Sequence, residues 1–163
     1  MPGRREHDRK RSEIGLLLAM LKHASLISRP MRGGVADPAG LSANELRILM
    51  ALKGEGESAG HYLAELMGMH AMNVSRALAS LTAMGLVEPV KERSNRRRKP
   101  YRISARGTKA HRALEPNLAQ VARFLFGALT AQERAALKRI LVKLDRQVLA
   151  WQPTDRRPHV PRA

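Results

Sequence analysis

The chain has 163 residues, with 30 Lys plus Arg against 14 Asp plus Glu, a formal net charge of +16 and a pI near 11.5. That length suits one sizeable core, or one small domain with appended helices, and so one-sided a charge points to an anionic partner. Aromatic residues make up only 3% and Cys is absent, which disfavours a single-strand binder built on stacked rings and excludes disulfides, thiolate metal sites, Cys nucleophiles and cysteine redox switches.

Residues 1–12, "MPGRREHDRKRS", are charged and lack an apolar period, which predicts a flexible basic arm. Over residues 13–30, Ile14, Leu17, Leu18 and Leu21, with Leu16, Met20, Ala24 and Ile27 on an adjoining stripe, cover most of a helix circumference. A helix so broadly apolar must be buried on more than one side. It is also too short to span a bilayer comfortably, carries Lys22 and His23, and precedes no small-residue cleavage site, so the expectation is a soluble, cytoplasmic protein with no membrane role. "RPMRGGVADPAG", with its Pro and Gly residues, then breaks the helix into a loop.

Ser42, with Glu45 three residues on, forms a capping box ahead of Leu46, Leu49, Met50 and Leu52. Ser58 or a neighbour opens a short helix in which Leu63 and Leu66 face the core and Gly68 supplies a tight turn. In "HAMNVSRALASLTAMG", Val74, Ala77, Leu78 and Leu81 recur at helical spacing, while Asn73, Ser75, Arg76 and Ser80 point elsewhere. Two short helices joined across a Gly, the second with a polar outer face, read as a helix-turn-helix. "LVEPVKER" and "KPYRIS" then suit two short strands around a "SNRRR" tip, with Pro89 implying an edge or bulge. Helix returns from Ser104 to about Leu129, with Pro116 as a break or kink, and a last helix starts at Thr130 with Glu133 at its box position. Residues 152–163, rich in Pro and Arg, predict a flexible tail.

This order of parts resembles the MarR family of winged helix-turn-helix transcription regulators, from Leu41 to about Ala150. "LSANELRILMAL" is similar to that family's opening helix of the winged domain, "YLAELMGMHAMNVSRALASLTAMGLVE" to its helix-turn-helix, and "SNRRRKPYRISARG" to its wing, which commonly reads D-R-R, a strand and "LT..G". The resemblance implies a mainly α fold with a small β-hairpin wing. The winged domain spans 41–104, and intertwined helices at 13–30 and 105–151 form a homodimer interface. Two positions depart from the pattern: Asn95 replaces the wing Asp, and His70 stands where Ser or Thr often caps the recognition helix. Without that carboxylate, the expectation is a wing tip held by DNA rather than by an internal salt bridge.

With Val74, Leu78 and Leu81 committed to the core, the candidates for reading double-stranded DNA are His70, Ala71, Met72, Asn73, Ser75 and Arg76. Asn73 can bond adenine bidentately, Arg76 a guanine or a phosphate, and Ala71 or Met72 can touch a thymine methyl. The plain alternatives are a solvated helix face for the polar residues and core filling for Met72. Residues 91–112 carry ten Lys and Arg and one acidic residue, Glu92. In the wing, Arg93, Asn95, Arg96, Arg97 and Arg98 are DNA candidates, with Arg96 or Arg97 suited to a narrow minor groove. A dimer implies a pseudo-palindromic operator, and occlusion of a promoter implies repression.

Release of DNA by a small anionic aromatic compound is what the resemblance implies for regulation. Candidate lining residues are Met20, His23, Ile27, Arg47, Met50, His61 and Phe124, since an apolar pocket with a few cationic donors suits an aromatic carboxylate. The same residues also suit ordinary core and dimer contacts. No cofactor is expected. The six His lie at 7, 23, 61, 70, 111 and 159, without a metal-binding spacing. No P-loop, G-x-S-x-G or paired-carboxylate pattern suggests an enzyme. The competing reading is an architectural duplex binder with neither effector nor sequence preference, and a cytoplasmic, nucleoid-associated location suits both.

Overall fold

The computed structural model describes residues 2–90 and 100–151, with side chains from residue 11 onward. The predicted wing tip and the predicted tail lie outside the described residues. The chain divides into two compact units, Met1–Val121 and Ala122–Ala163.

In the first unit, helix α1 (Pro2–Met31) begins eleven residues before the predicted start at residue 13, and the expected basic arm has helical backbone instead. Arg, Glu and Lys favour helix without an apolar stripe, and Pro is tolerated at a first helical position. α1 runs on through Pro30 by one residue, and the expected loop is a π-turn (Arg32–Ala36) followed by a 3-10 turn (Asp37–Ala39). Val35 and Ala36 are fully buried there, so this connection is core rather than surface.

The winged domain is built on helices α2 (Ala43–Glu55), α3 (Gly60–Met67) and α4 (Ala71–Ala83). The capping box at the start of α2 is formed as the sequence predicts: Ser42 N–H donates to Glu45 Oε2 at 2.6 Å, and Glu45 N–H to Ser42 Oγ at 3.3 Å. Leu46, Ile48, Leu49 and Leu52 of α2 close over Leu63 of α3 and over Val74, Ala77, Leu78 and Leu81 of α4, all buried. Burying each of the larger side chains contributes about 1.5–3 kcal/mol. Leu66 is only half-buried.

Strands β1 (Ser58–Ala59), β2 (Val87–Pro89) and β3 (Pro100–Ile103) form an antiparallel sheet in the order β1-β3-β2. Of the two openings the sequence allowed for α3, Ser58 or a neighbour, the neighbour Ala59 is the N-cap, and Ser58 lies in the strand. It pairs with Tyr101 on the free edge of β3, and the strand supplies partners for backbone groups that a buried helix start would have left without any. β2 pairs with β3 in the register Val87 with Ile103 and Pro89 with Tyr101, and Val90 N–H donates to Pro100 O at 2.8 Å at the base of the wing.

α5 (Ala105–Phe126) leaves the sheet through Ser104. The Ser104 hydroxyl donates to Gly85 O at 2.7 Å and accepts from Gly107 N–H at 2.9 Å, while its backbone N–H donates to Leu86 O at 3.0 Å. Gly107 is buried so tightly that a Cβ there would lie 1.9 Å from Leu86 O. α5 is continuous through Pro116, with Leu114 and Val121 buried on either side; their packing offsets the lost backbone bond.

In the second unit, α6 (Ala131–Ala150) starts with the predicted capping box of Thr130 and Glu133. Arg134 donates to the carbonyls of Leu129 and Phe126, tying the connecting turn to this helix.

Candidate nucleic-acid interface

A turn of three residues, Gly68 to His70, joins α3 to α4. Gly68 takes the left-handed conformation at φ 56°, which costs Gly little and other residues more. Its N–H donates to Ala64 and Glu65 carbonyls, and Met69 N–H donates to Ala64 O. His70 is the N-cap of α4 but its side chain makes no capping bond, so the first turn of α4 keeps N–H groups directed outward.

The stripe Val74, Ala77, Leu78 and Leu81 fixes the rotation of α4, and His70, Ala71, Met72, Asn73, Ser75 and Arg76 are all exposed. Met72 is 64% exposed, which rules out core filling in this chain. Ser80, expected on the outer face, is instead half-buried and its hydroxyl donates to the Glu45 carboxylate. Burial raises the Glu45 pKa, but the bonds from Ser80 and Ser42 outweigh it and hold the group below its ordinary value. The start of α2 is thus bonded to α4.

Arg93, Asn95, Arg96, Arg97 and Arg98 lie outside the described residues. At the base of the wing, Arg102 does not join the outward cation cluster in which the sequence places it. Its Nε donates to Glu88 Oε1 at 2.7 Å and its Nη1 lies 3.5 Å from Glu57 Oε1, bridging carboxylates beside all three strands. The Glu88 hydrogen bond and charge, reinforced by Glu57, raise the Arg102 pKa. Arg106, Lys109 and Arg112, at i, i+3 spacing on the first turns of α5, are exposed.

A cleft of about 550 Å³ lies between α1 and α2. It brings Ile27, Arg47 and Met50 together with Leu21, Met31 and Arg32. The other predicted lining residues lie elsewhere. Met20 and His23 do not line it, and His23 Nδ1 is 2.8 Å from Ala19 O. His61 is exposed on α3, and Phe124, 79% exposed, belongs to the second unit. Sequence reasoning missed Arg32, which falls in a stretch read as a loop. It also missed the partner of Arg47, whose Nη2 donates to Met67 O at 2.6 Å.

Among the described residues, no helix is long and apolar enough to cross a membrane, and no three His, Asp or Glu side chains are grouped to hold a metal ion.

Residues 39–98 match the sequence profile of the MarR family. No curated protein is detectably similar in sequence. Solved structures share the fold. A MarR-family regulator from Silicibacter pomeroyi superposes with a TM-score of 0.68 at 22% identity, covering 84% of this chain and 90% of that one. BpsR of Bordetella bronchiseptica, whose DNA binding is regulated by 6-hydroxynicotinic acid, gives 0.67 at 20% identity over 82% and 98% of the two chains. NadR in complex with 4-hydroxyphenylacetate gives 0.63 at 21% identity over 80% and 89%. Residues 39–98 are thus similar in sequence to the MarR family, and the chain as a whole shares the fold of solved MarR-family structures.

Proposed function

We propose that the protein is a homodimeric, sequence-specific DNA-binding repressor, released from a pseudo-palindromic operator by a small aromatic carboxylate. The observation that carries the DNA reading is the division of α4. Its buried stripe leaves a contiguous exposed face, His70 to Asn73 with Ser75 and Arg76, on an element of the size that the major groove admits. In this reading Asn73 and Arg76 address base edges, and Ala71 and Met72 address thymine methyls. Arg93, Asn95, Arg96, Arg97 and Arg98 of the wing, together with Arg106, Lys109 and Arg112, engage phosphates and the minor groove.

Dimerisation is supported by α1. Ile14, Leu16, Leu17, Leu18, Leu21 and Leu26 are each more than half exposed in the single chain, a larger apolar surface than a soluble monomer ordinarily presents. Residues 13–30 and 105–151 are the segments assigned to the interface. Two reading heads then address half-sites about 34–36 Å apart, one turn of the duplex. Effector control is supported by the cleft between α1 and α2, mainly apolar with Arg32 and Arg47 as its charged lining and Ser25 and Ser28 as its hydroxyls, and by the ligands of the two similar proteins named above. The protein acts in the cytoplasm, where its duplex lies.

A gel shift with a duplex recovered from bound genomic fragments, titrated with 4-hydroxyphenylacetate and 6-hydroxynicotinate, tests the proposal. Binding at nanomolar protein, weakened by one of the acids, is the expected result. The formal charge of +16 favours one second reading, an architectural duplex binder without effector. Equal affinity for selected and scrambled duplexes would establish that alternative.

A further inference from the structure

We propose that Arg47 couples the cleft to the recognition helix: its guanidinium holds the Met67 carbonyl in the DNA-binding form, and an effector carboxylate draws it away. The inference rests on the reading of the cleft as an effector site. Arg47 stands at the junction of the two regions. It lines the cleft with Leu46 and Met50 on α2, and its Nη2 reaches Met67 O at 2.6 Å across 20 residues of chain.

Met67 is the last residue of α3, and only Gly68, Met69 and His70 separate it from α4. The last carbonyls of a helix lack partners within it. Those of Ala64 and Glu65 receive Gly68 and Met69 N–H, and that of Met67 receives Arg47. The guanidinium thereby completes the cap of α3 and fixes the turn that delivers the recognition helix.

A carboxylate is the stronger acceptor for the same group. Arg pairs with it through two parallel charge-assisted bonds between opposite charges, whereas the neutral Met67 carbonyl accepts a single bond from the guanidinium. An aromatic acid seated among Leu21, Ile27 and Met50 would present its carboxylate to Arg47 from the cleft side and to Arg32. Arg32 is exposed, and its backbone carbonyl accepts from Asp37 N–H. The bond to Met67 is lost as the ionic bonds form, and the turn before α4 loosens.

The test uses the full chain, the variants Arg47→Gln and Arg47→Lys, the selected duplex, and 4-hydroxyphenylacetate as probe. Without probe, Arg47→Gln is expected to speed amide exchange at Met69 and His70 and to weaken duplex binding about five-fold, the scale of one exposed charged hydrogen bond. Arg47→Lys, which keeps a donor and the charge, should recover part of both. In the wild type the probe should produce the same rise in exchange and a comparable loss of duplex affinity, and in Arg47→Gln it should change neither. Wild-type exchange and affinity in Arg47→Gln would overturn the proposal. A probe that releases duplex equally from wild type and Arg47→Gln would overturn the coupling and leave the effector site standing. No calorimetric binding of the probe to the wild type would overturn the effector reading itself, and with it the coupling, whatever the exchange at Met69 shows.

Discussion

Gly107→Ala tests the junction where the wing meets α5. A Cβ at this position would lie 1.9 Å from Leu86 O, 2.9 Å from Leu86 C and 2.8 Å from Ile103 Cγ1. The closest atom, Leu86 O, belongs to backbone, so no side-chain rotation relieves the clash. Strand and helix must part by about 1 Å, in an interior packed too densely to absorb it. Overpacking of this kind costs about 1–3 kcal/mol. The movement also pulls on two bonds that Ser104 makes, N–H to Leu86 O and hydroxyl to Gly85 O, at about 1 kcal/mol each. A total of about 3–5 kcal/mol is a large part of the roughly 5–15 kcal/mol that holds a domain folded. With a urea slope of about 2 kcal/mol per molar, the unfolding midpoint should fall by about 1.5–2.5 M. Far-UV circular dichroism at fixed protein concentration measures this. Gly54→Ala is the control: it lies in α2 with nothing within 4 Å of the added Cβ and should gain about 0.5–1 kcal/mol. Equal midpoints for Gly107→Ala and wild type would refute the packing argument.

Asn73→Ala should lose about 1–3 kcal/mol of discrimination at one base position, while Arg106→Ala should weaken binding evenly across sequences and lower the salt slope by about 0.9, as competition assays at several salt concentrations would read. Arg102→Ala removes an exposed pair of contacts, so stability should change by less than about 1 kcal/mol; duplex affinity, which depends on wing orientation, should fall by more. The pKa of Glu45 is lowered despite its burial, and that of Glu133 by the Thr130 amide and hydroxyl. Both folded values lie below the ordinary 4.5, so their stabilisation is complete above that pH and is lost as pH falls through the folded values. Acid titration of Glu45→Gln should accordingly show a smaller loss than wild type. Leu17→Asp in α1 should convert a dimer to monomers in analytical ultracentrifugation; an unchanged dimer would remove α1 from the interface.

The parts of this fold that local chemistry specifies were legible in the chain. Both capping boxes, the Gly68 turn and the buried stripe of α4 each need residues within one or two helical turns, and the sequence displays them together. The misreadings involve distant partners. Whether Ser58 or its neighbour caps α3 is open until Tyr101 offers Ser58 a strand edge 43 residues away and leaves the cap to Ala59. Arg102 counts as a DNA-facing cation until Glu57 and Glu88 converge on it. Arg47 reads as a cleft residue, and its second contact, with Met67 O 20 residues away, is what the sequence does not display. The amphipathic period of α4 distinguishes its exposed face from its core face, because one stripe cannot be buried without exposing the other. The cleft was only partly legible. Ile27, Arg47 and Met50 converge there, whereas Met20, His23, His61 and Phe124 do not, since their convergence depends on helix rotation and tertiary placement that periodicity does not encode. The helical start of α1 was missed because a run of charges carries helix propensity without an apolar signal.

The most direct test of the central claim is the affinity of the protein for its selected duplex against a scrambled duplex of the same length and composition at one salt concentration. A sequence-reading repressor should favour the selected duplex by at least about 10³-fold, and Asn73→Ala should lower that ratio. A ratio near one, unchanged by Asn73→Ala, would contradict the assignment of the exposed α4 face to base recognition.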